Sequence, residues 1–165
     1  MQLSSAQWLY LAIGQLAVPV LINVVLNGAI GFAIFRGASE VPWLGTQSIV
    51  GDTLGTGFFL PAITCLIVTP LVRGHVRKGA AEPMRGTLPR WLAAFPRALV
   101  PRALALGLAG VAVAGGLLLA LSALLGVETL AFVPFLGFKA VFAGLLGGLV
   151  TPLIALLALA DRPAA

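Results

Sequence analysis

Few side chains in this sequence are of kinds that do chemistry, and their spacing narrows what they can do. The first apolar run carries Gln15, Pro19, Asn23, Asn27 and Gly31 at every fourth position, which lays them along one side of a helix with a slow drift around it. An amide in hydrocarbon is costly unless it is hydrogen-bonded, so this stripe is expected to face other helices or a wet cavity rather than lipid. Two readings follow. One is a polar lining for a solute or ion path; the other is glue between helices, each Asn bond contributing about 0.6 to 2 kcal/mol. Pro19 in addition leaves the carbonyl of Gln15 without its usual intrahelical donor.

The second set is ionic. Asp52 opens the second apolar run and Lys139 sits one residue inside the fourth. If those runs pack side by side the two charges meet at similar depth, with Arg36 as a competing partner for Asp52. With Gln47, Ser48 and Thr53, Asp52 is a candidate polar mouth. Its structural alternative is a carboxylate favoured by the free N–H groups and the dipole of a helix N-terminus. Pro61, Pro70 and Pro152 free the carbonyls of Gly57, Leu66 and Gly148, and freed carbonyls coordinate cations in many transporters, though proline is also common in membrane helices.

Enzymatic chemistry finds little support. The chain has one His, one Cys and five acids, with no two acids placed as a catalytic pair. Cys65 alone makes neither an intrachain disulfide nor a multi-thiolate metal site. His75 lies among arginines and reads as solvated or facing headgroups. No cofactor motif and no metal-ligand spacing is present, so the expectation is a non-enzyme without a cofactor.

These residues must be positioned by elements that the composition defines. Of 165 residues 60% are hydrophobic and only 9% charged, against about 25% charged in a soluble domain. The apolar runs are continuous and rich in Leu, Ala and Gly, not alternating as in barrel strands, so the expected class is an all-α integral membrane protein. Four spans are expected, over 8–35, 53–72, 103–125 and 138–160, each reaching the roughly 20 residues that cross the hydrocarbon core. A cleaved signal peptide as the first run would want a basic start and a shorter apolar core, and neither is present.

Seven of the ten basic residues, Arg73, Arg77, Lys78, Arg85, Arg90, Arg97 and Arg102, fall in the connection 73–102, with Glu82 the only acid among them. Basic connections stay cytoplasmic. That predicts a multi-pass protein of the cytoplasmic (inner) membrane with both termini cytoplasmic, and places 36–52 and 126–137 outside. The net charge of +5 is thereby assigned to lipid headgroups, not to nucleic acid. Within the connection, Leu88, Trp91, Leu92, Phe95 and Leu99 recur at helical spacing behind Thr87 and Pro89. The expectation is a short interfacial amphipathic helix with Arg90, Trp91 and Arg97 against anionic lipid; a solvated connector is the alternative, since Pro96 interrupts the pattern.

Small residues form two ladders, Ala112, Gly116 and Ala120 in the third run and Ala140, Gly144 and Gly148 in the fourth. Such faces let helices approach closely, within one chain or between chains, and make a homo-oligomer or a larger complex an expected state. Val41-Pro-Trp-Leu-Gly before the second run is echoed by Val133-Pro-Phe-Leu-Gly before the fourth, which suggests two copies of one helical hairpin. A second echo, Thr69-Pro70 against Thr151-Pro152, disagrees: Gly45 to Thr69 is 24 residues and Gly137 to Thr151 is 14. The function class most consistent with an amide-striped helix and no ionisable group at mid-span is a passive channel or facilitator for an ion or small solute. The alternative is a non-catalytic structural or assembly subunit of a larger membrane complex.

Overall fold

A computed structural model describes residues 16–84 and 88–161. Four helices in it are long and apolar enough to cross a membrane, so the chain is a multi-pass membrane protein: α1 (Val18–Phe35), α2 (Ile49–Arg77), α4 (Leu99–Leu125) and α5 (Phe132–Leu159). A single turn, α3 (Arg90–Ala93), lies between α2 and α4. The part of the expected first span before residue 16, Gln15 included, lies outside the described residues.

α2, α4 and α5 start before their expected boundaries, and α2 also ends beyond its own, for local reasons. α2 starts at Ile49 because the extended Ser48 caps it, its Oγ accepting the N–H of Gly51 at 3.1 Å. The cap role therefore belongs to Ser48 and not to Asp52, which sits one turn in. α2 then runs on through Arg73, His75 and Arg77, residues assigned above to a connection. α5 starts at Phe132, and Pro134 stands in its first turn, where its missing N–H costs nothing. α4 stops at Gly126, which adopts φ 56° and donates its N–H to the carbonyl of Ser122.

The all-α expectation needs one correction. Residues 40–42 and 129–131 form short strands, β1 (Glu40–Pro42) and β2 (Thr129–Ala131), paired antiparallel with Val41 opposite Leu130. This ribbon ties the α1–α2 connection to the α4–α5 connection. Trp43 extends the tie by donating its N–H to Glu128 at 2.8 Å. The bundle therefore has a ribbon end and, opposite it, a basic end.

Packing also departs from two sequential hairpins. The close backbone approaches are α2 with α4, α1 with α5, and α2 with α5. The spatial order is α4, α2, α5, α1, so each hairpin's first helix leans on the other hairpin's second helix. Glycines make these approaches possible. A Cβ on Gly57 would stand 2.8 Å from the Cβ of Ala114 and 2.9 Å from the carbonyl oxygen of Gly110; one on Gly144 would stand 2.6 Å from Val24. Gly57 stands 8 residues beyond the start of α2 and Gly144 12 residues beyond the start of α5, so the two helices carry their contact glycines at different depths.

The element boundaries explain why the two sequence echoes disagree. Val41-Pro42 is strand and Val133-Pro134 is helix, so the pentapeptides are not structural equivalents. Measured from helix starts at Ile49 and Phe132, Thr69 and Thr151 lie at nearly the same distance.

Candidate functional site

The site is built where α1 and α2 both pack near α5 but not closely on each other. Lys139 of α5 reaches under α1 and delivers its ammonium to α2. The Nζ lies 2.6 Å from Asp52 Oδ1, 2.6 Å from Oδ2 and 3.3 Å from Thr56 Oγ1. Asp52 and Thr56 are four residues apart and share a helix face. An ammonium has three protons, so this lysine is fully committed. Its side chain is only 3% exposed and that of Asp52 10%. The stem passes over Gly31: a Cβ there would stand 2.7 Å from Lys139 Cδ. Glycine at that point of the amide stripe makes room for the lysine.

From this pair a cavity of about 470 Å³ runs between α1 and α2 toward the basic end. Its walls are apolar, Ile22, Leu26 and Ile30 from α1 and Phe59, Ile63 and Ile67 from α2. Asn23, Asn27 and Thr64 add polar atoms, and Gly55 leaves the wall flat. Of the expected polar lining, Asn23, Asn27 and Asp52 border it. Thr53 does not: it is buried on the other side of α2 with no partner for its Oγ1 among the described residues. Thr56, one turn on from Asp52, takes the place assigned to Thr53; the i to i+4 spacing from Asp52 is the signal that would have found it.

The amides border the cavity and also bond within their own helix. Asn23 Nδ2 donates to the carbonyl of Pro19 at 2.9 Å, and Asn27 Nδ2 to that of Asn23 at 3.0 Å. One of the two N–H donors of each amide is thus used on its own helix, a known habit of short polar side chains. Asn23 does pack against α5, over Gly147, but by contact. Gln47 is exposed and Arg36 does not displace Lys139 from Asp52.

The two small-residue ladders part company. Gly144 and Gly148 are buried under Val24 and Val20 of α1, with Ala140 beside Gly28. Ala112, Gly116 and Ala120 lie on the exposed face of α4. The residues that pack α4 onto α2 are Gly107, Gly110 and Ala114. Small residues occur on both faces of α4, so periodicity could not choose between them.

At the basic end a second ionic cluster closes the bundle, and sequence reasoning missed it. Arg102 is 1% exposed. It donates from Nη2 to Asp161 Oδ1 at 2.8 Å, from Nη1 to Oδ2 at 2.9 Å and from Nε to the carbonyl of Pro96 at 2.7 Å. Arg73 joins from Nε and Nη2 to Asp161 Oδ2 at 3.0 and 2.7 Å, and Nη2 also meets the carbonyl of Arg97 at 2.7 Å. Arg73 and Arg102 therefore belong to helix ends rather than to a connection, and charges sit at both ends of the spans. The expected interfacial helix shrinks to one turn because Pro96 lacks a donor N–H. Leu92 is buried against Leu156 and Leu157, while Arg90, Trp91 and Arg97 stay exposed. Thr87, the expected cap, lies outside the described residues.

Comparison with protein-family models, with curated proteins and with solved structures finds no match, so the geometry carries the functional argument.

Proposed function

We propose that the protein is a passive, non-catalytic facilitator whose working surface is the α1–α2 groove. The observation that carries this reading is the groove itself: a cavity of about 470 Å³ along the helix axes, with Asp52, Lys139 and Thr56 at one end. A volume in that range suits a small ligand. The groove opens sideways, so passage of a small polar solute or ion would need the opening covered by a second copy or a partner, in keeping with an oligomer. In this reading the chain sits in a cytoplasmic membrane with the basic end and both termini inside, Arg90, Trp91 and Arg97 at anionic headgroups. Flux through vesicles reconstituted with the purified protein tests it: ions and small neutral solutes should equilibrate faster than in empty vesicles, and no acceleration for any of them removes the reading.

A second reading, a non-catalytic assembly subunit of a larger complex, is favoured by the exposed Ala112, Gly116 and Ala120 on α4. Stoichiometric co-purification of other membrane subunits in mild detergent would select it, and a Gly116→Leu change should then strip those subunits away.

A further inference from the structure

We propose that the α1–α2 groove selects small non-ionic polyols, the glycerol class, over ions and over flat amides such as urea. The proposal rests on the facilitator reading and narrows its solute to one chemical class.

Spare hydrogen-bonding groups within the spans carry it. Asn23 and Asn27 border the groove and each uses one N–H on its own helix, which leaves the second N–H and the carbonyl oxygen of each amide. Thr56 accepts from Lys139 and keeps its own O–H, and Thr64 adds another hydroxyl to the same wall. Among the described residues the side-chain atoms both buried and unpaired are Thr53 Oγ1 and Thr151 Oγ1, so the spare groups of the two amides are not sealed inside the bundle. Facing hydrocarbon, such groups are costly until something bonds them.

Their spacing makes a ladder. Gly31 lies against the Lys139 stem, level with the ion pair, and α1 ends at the ribbon where α2 begins. Asn27 and Asn23 therefore stand about 6 and 12 Å from Gly31 toward the basic end, at 1.5 Å per residue. On the facing wall Thr56 and Thr64 stand about 6 and 18 Å beyond Asp52. Each rung offers a donor and an acceptor, and a hydroxyl answers both at one atom. Between the rungs Leu26, Ile30, Phe59 and Ile63 are apolar. A polyol lays its C–H edge on them while its hydroxyls follow the rungs; urea is polar around its whole rim.

An ion fares worse. Among the described residues Asp52 and Lys139 are the only charged side chains bordering the groove, and they neutralise each other. An ion would exchange its hydration for a few dipoles and, past Thr64, for the apolar Ile67. That loss far exceeds what a neutral hydroxyl incurs.

The test reconstitutes the purified protein in phosphatidylcholine. Light scattering of vesicles after an osmotic step follows entry of glycerol and of urea, and planar bilayers in KCl report ion conductance. Glycerol should enter faster than into empty vesicles, urea should gain less, and KCl conductance should stay at that of bare lipid. Asn27→Leu and Thr64→Val should each lower the glycerol gain by about tenfold, equivalent to about 1.4 kcal/mol in the barrier. Thr53→Val, on the far side of α2, should leave it unchanged. If Asn27→Leu does not fold, Thr64→Val, of nearly the same shape, decides. Protein-dependent KCl conductance, or urea entry faster than that of glycerol, overturns the proposal and leaves the facilitator standing. Glycerol entry untouched by the groove variants also overturns it; if those variants instead lose a second copy on sizing in detergent, the amides are interhelical glue. No gain for any solute removes the facilitator as well.

Discussion

The bundle is fastened at both ends by ion pairs, and the two fastenings are built to different ends. At the ribbon end one lysine meets one carboxylate beside a cavity, charges balanced and ammonium protons all used. At the basic end two arginines converge on Asp161 and reach backbone carbonyls of the α3–α4 connection, leaving a surplus positive charge. A guanidinium offers five donors in a rigid fork and can tie a carboxylate and a carbonyl at once, whereas an ammonium is a point donor on a flexible stem. The arginine cluster locks three chain segments; the lysine pair leaves a neutral polar rim beside an apolar groove.

The sharpest way to break this contrast is at Arg102. Arg102→Met leaves Asp161 with only the part-exposed Arg73, and chemical denaturation in detergent should show a loss of about 3–5 kcal/mol. Lys139→Met should cost somewhat less, about 3 kcal/mol, because Asp52 stands in the first turn of α2, where the helix dipole favours its charge. Adding Asp52→Asn to Lys139→Met should return stability to within about 1 kcal/mol of the parent, since the uncompensated charge is gone. If the double change stays as weak as the single one, the ribbon-end pair is as structural as the arginine cluster and the contrast fails. Gly31→Leu should cost about 1–3 kcal/mol by forcing the lysine stem aside, measured by the same denaturation. Arg73→Gln should be the mildest, at most about 1 kcal/mol, because its side chain is 35% exposed; a loss as large as that of Arg102→Met would show that the two arginines act as one unit.

The two fastenings were unequally legible in the sequence. Asp52 and Lys139 stand out because each is a charge at the edge of an apolar run, on the side away from the basic connection, where ionised groups need partners. Arg102 and Asp161 were hidden by the same logic in reverse: charges next to a basic connection read as part of it, and α2 and α4 were expected to end where hydropathy falls. Helices persist beyond that point because long basic side chains keep their heads at the edge while their stems lie along the bundle. The four spans were legible from composition. The order in which they pack was not, because the fit depends on which glycine face meets which, and Gly107, Gly110 and Ala114 share α4 with an equally small exposed row. The ribbon was missed because three-residue strands carry almost no periodic signal.

The crossed packing has a consequence for biogenesis. α1 is made before α2 and α4, yet the glycines that receive it, Gly144, Gly147 and Gly148, lie in α5, which follows them. A nascent chain halted after α4 already has the complementary faces of α2 and α4, but its opening helix is without its berth. Its Asp52 is likewise without Lys139 until α5 is inserted. The α1 berth is therefore formed only after α5 has been made.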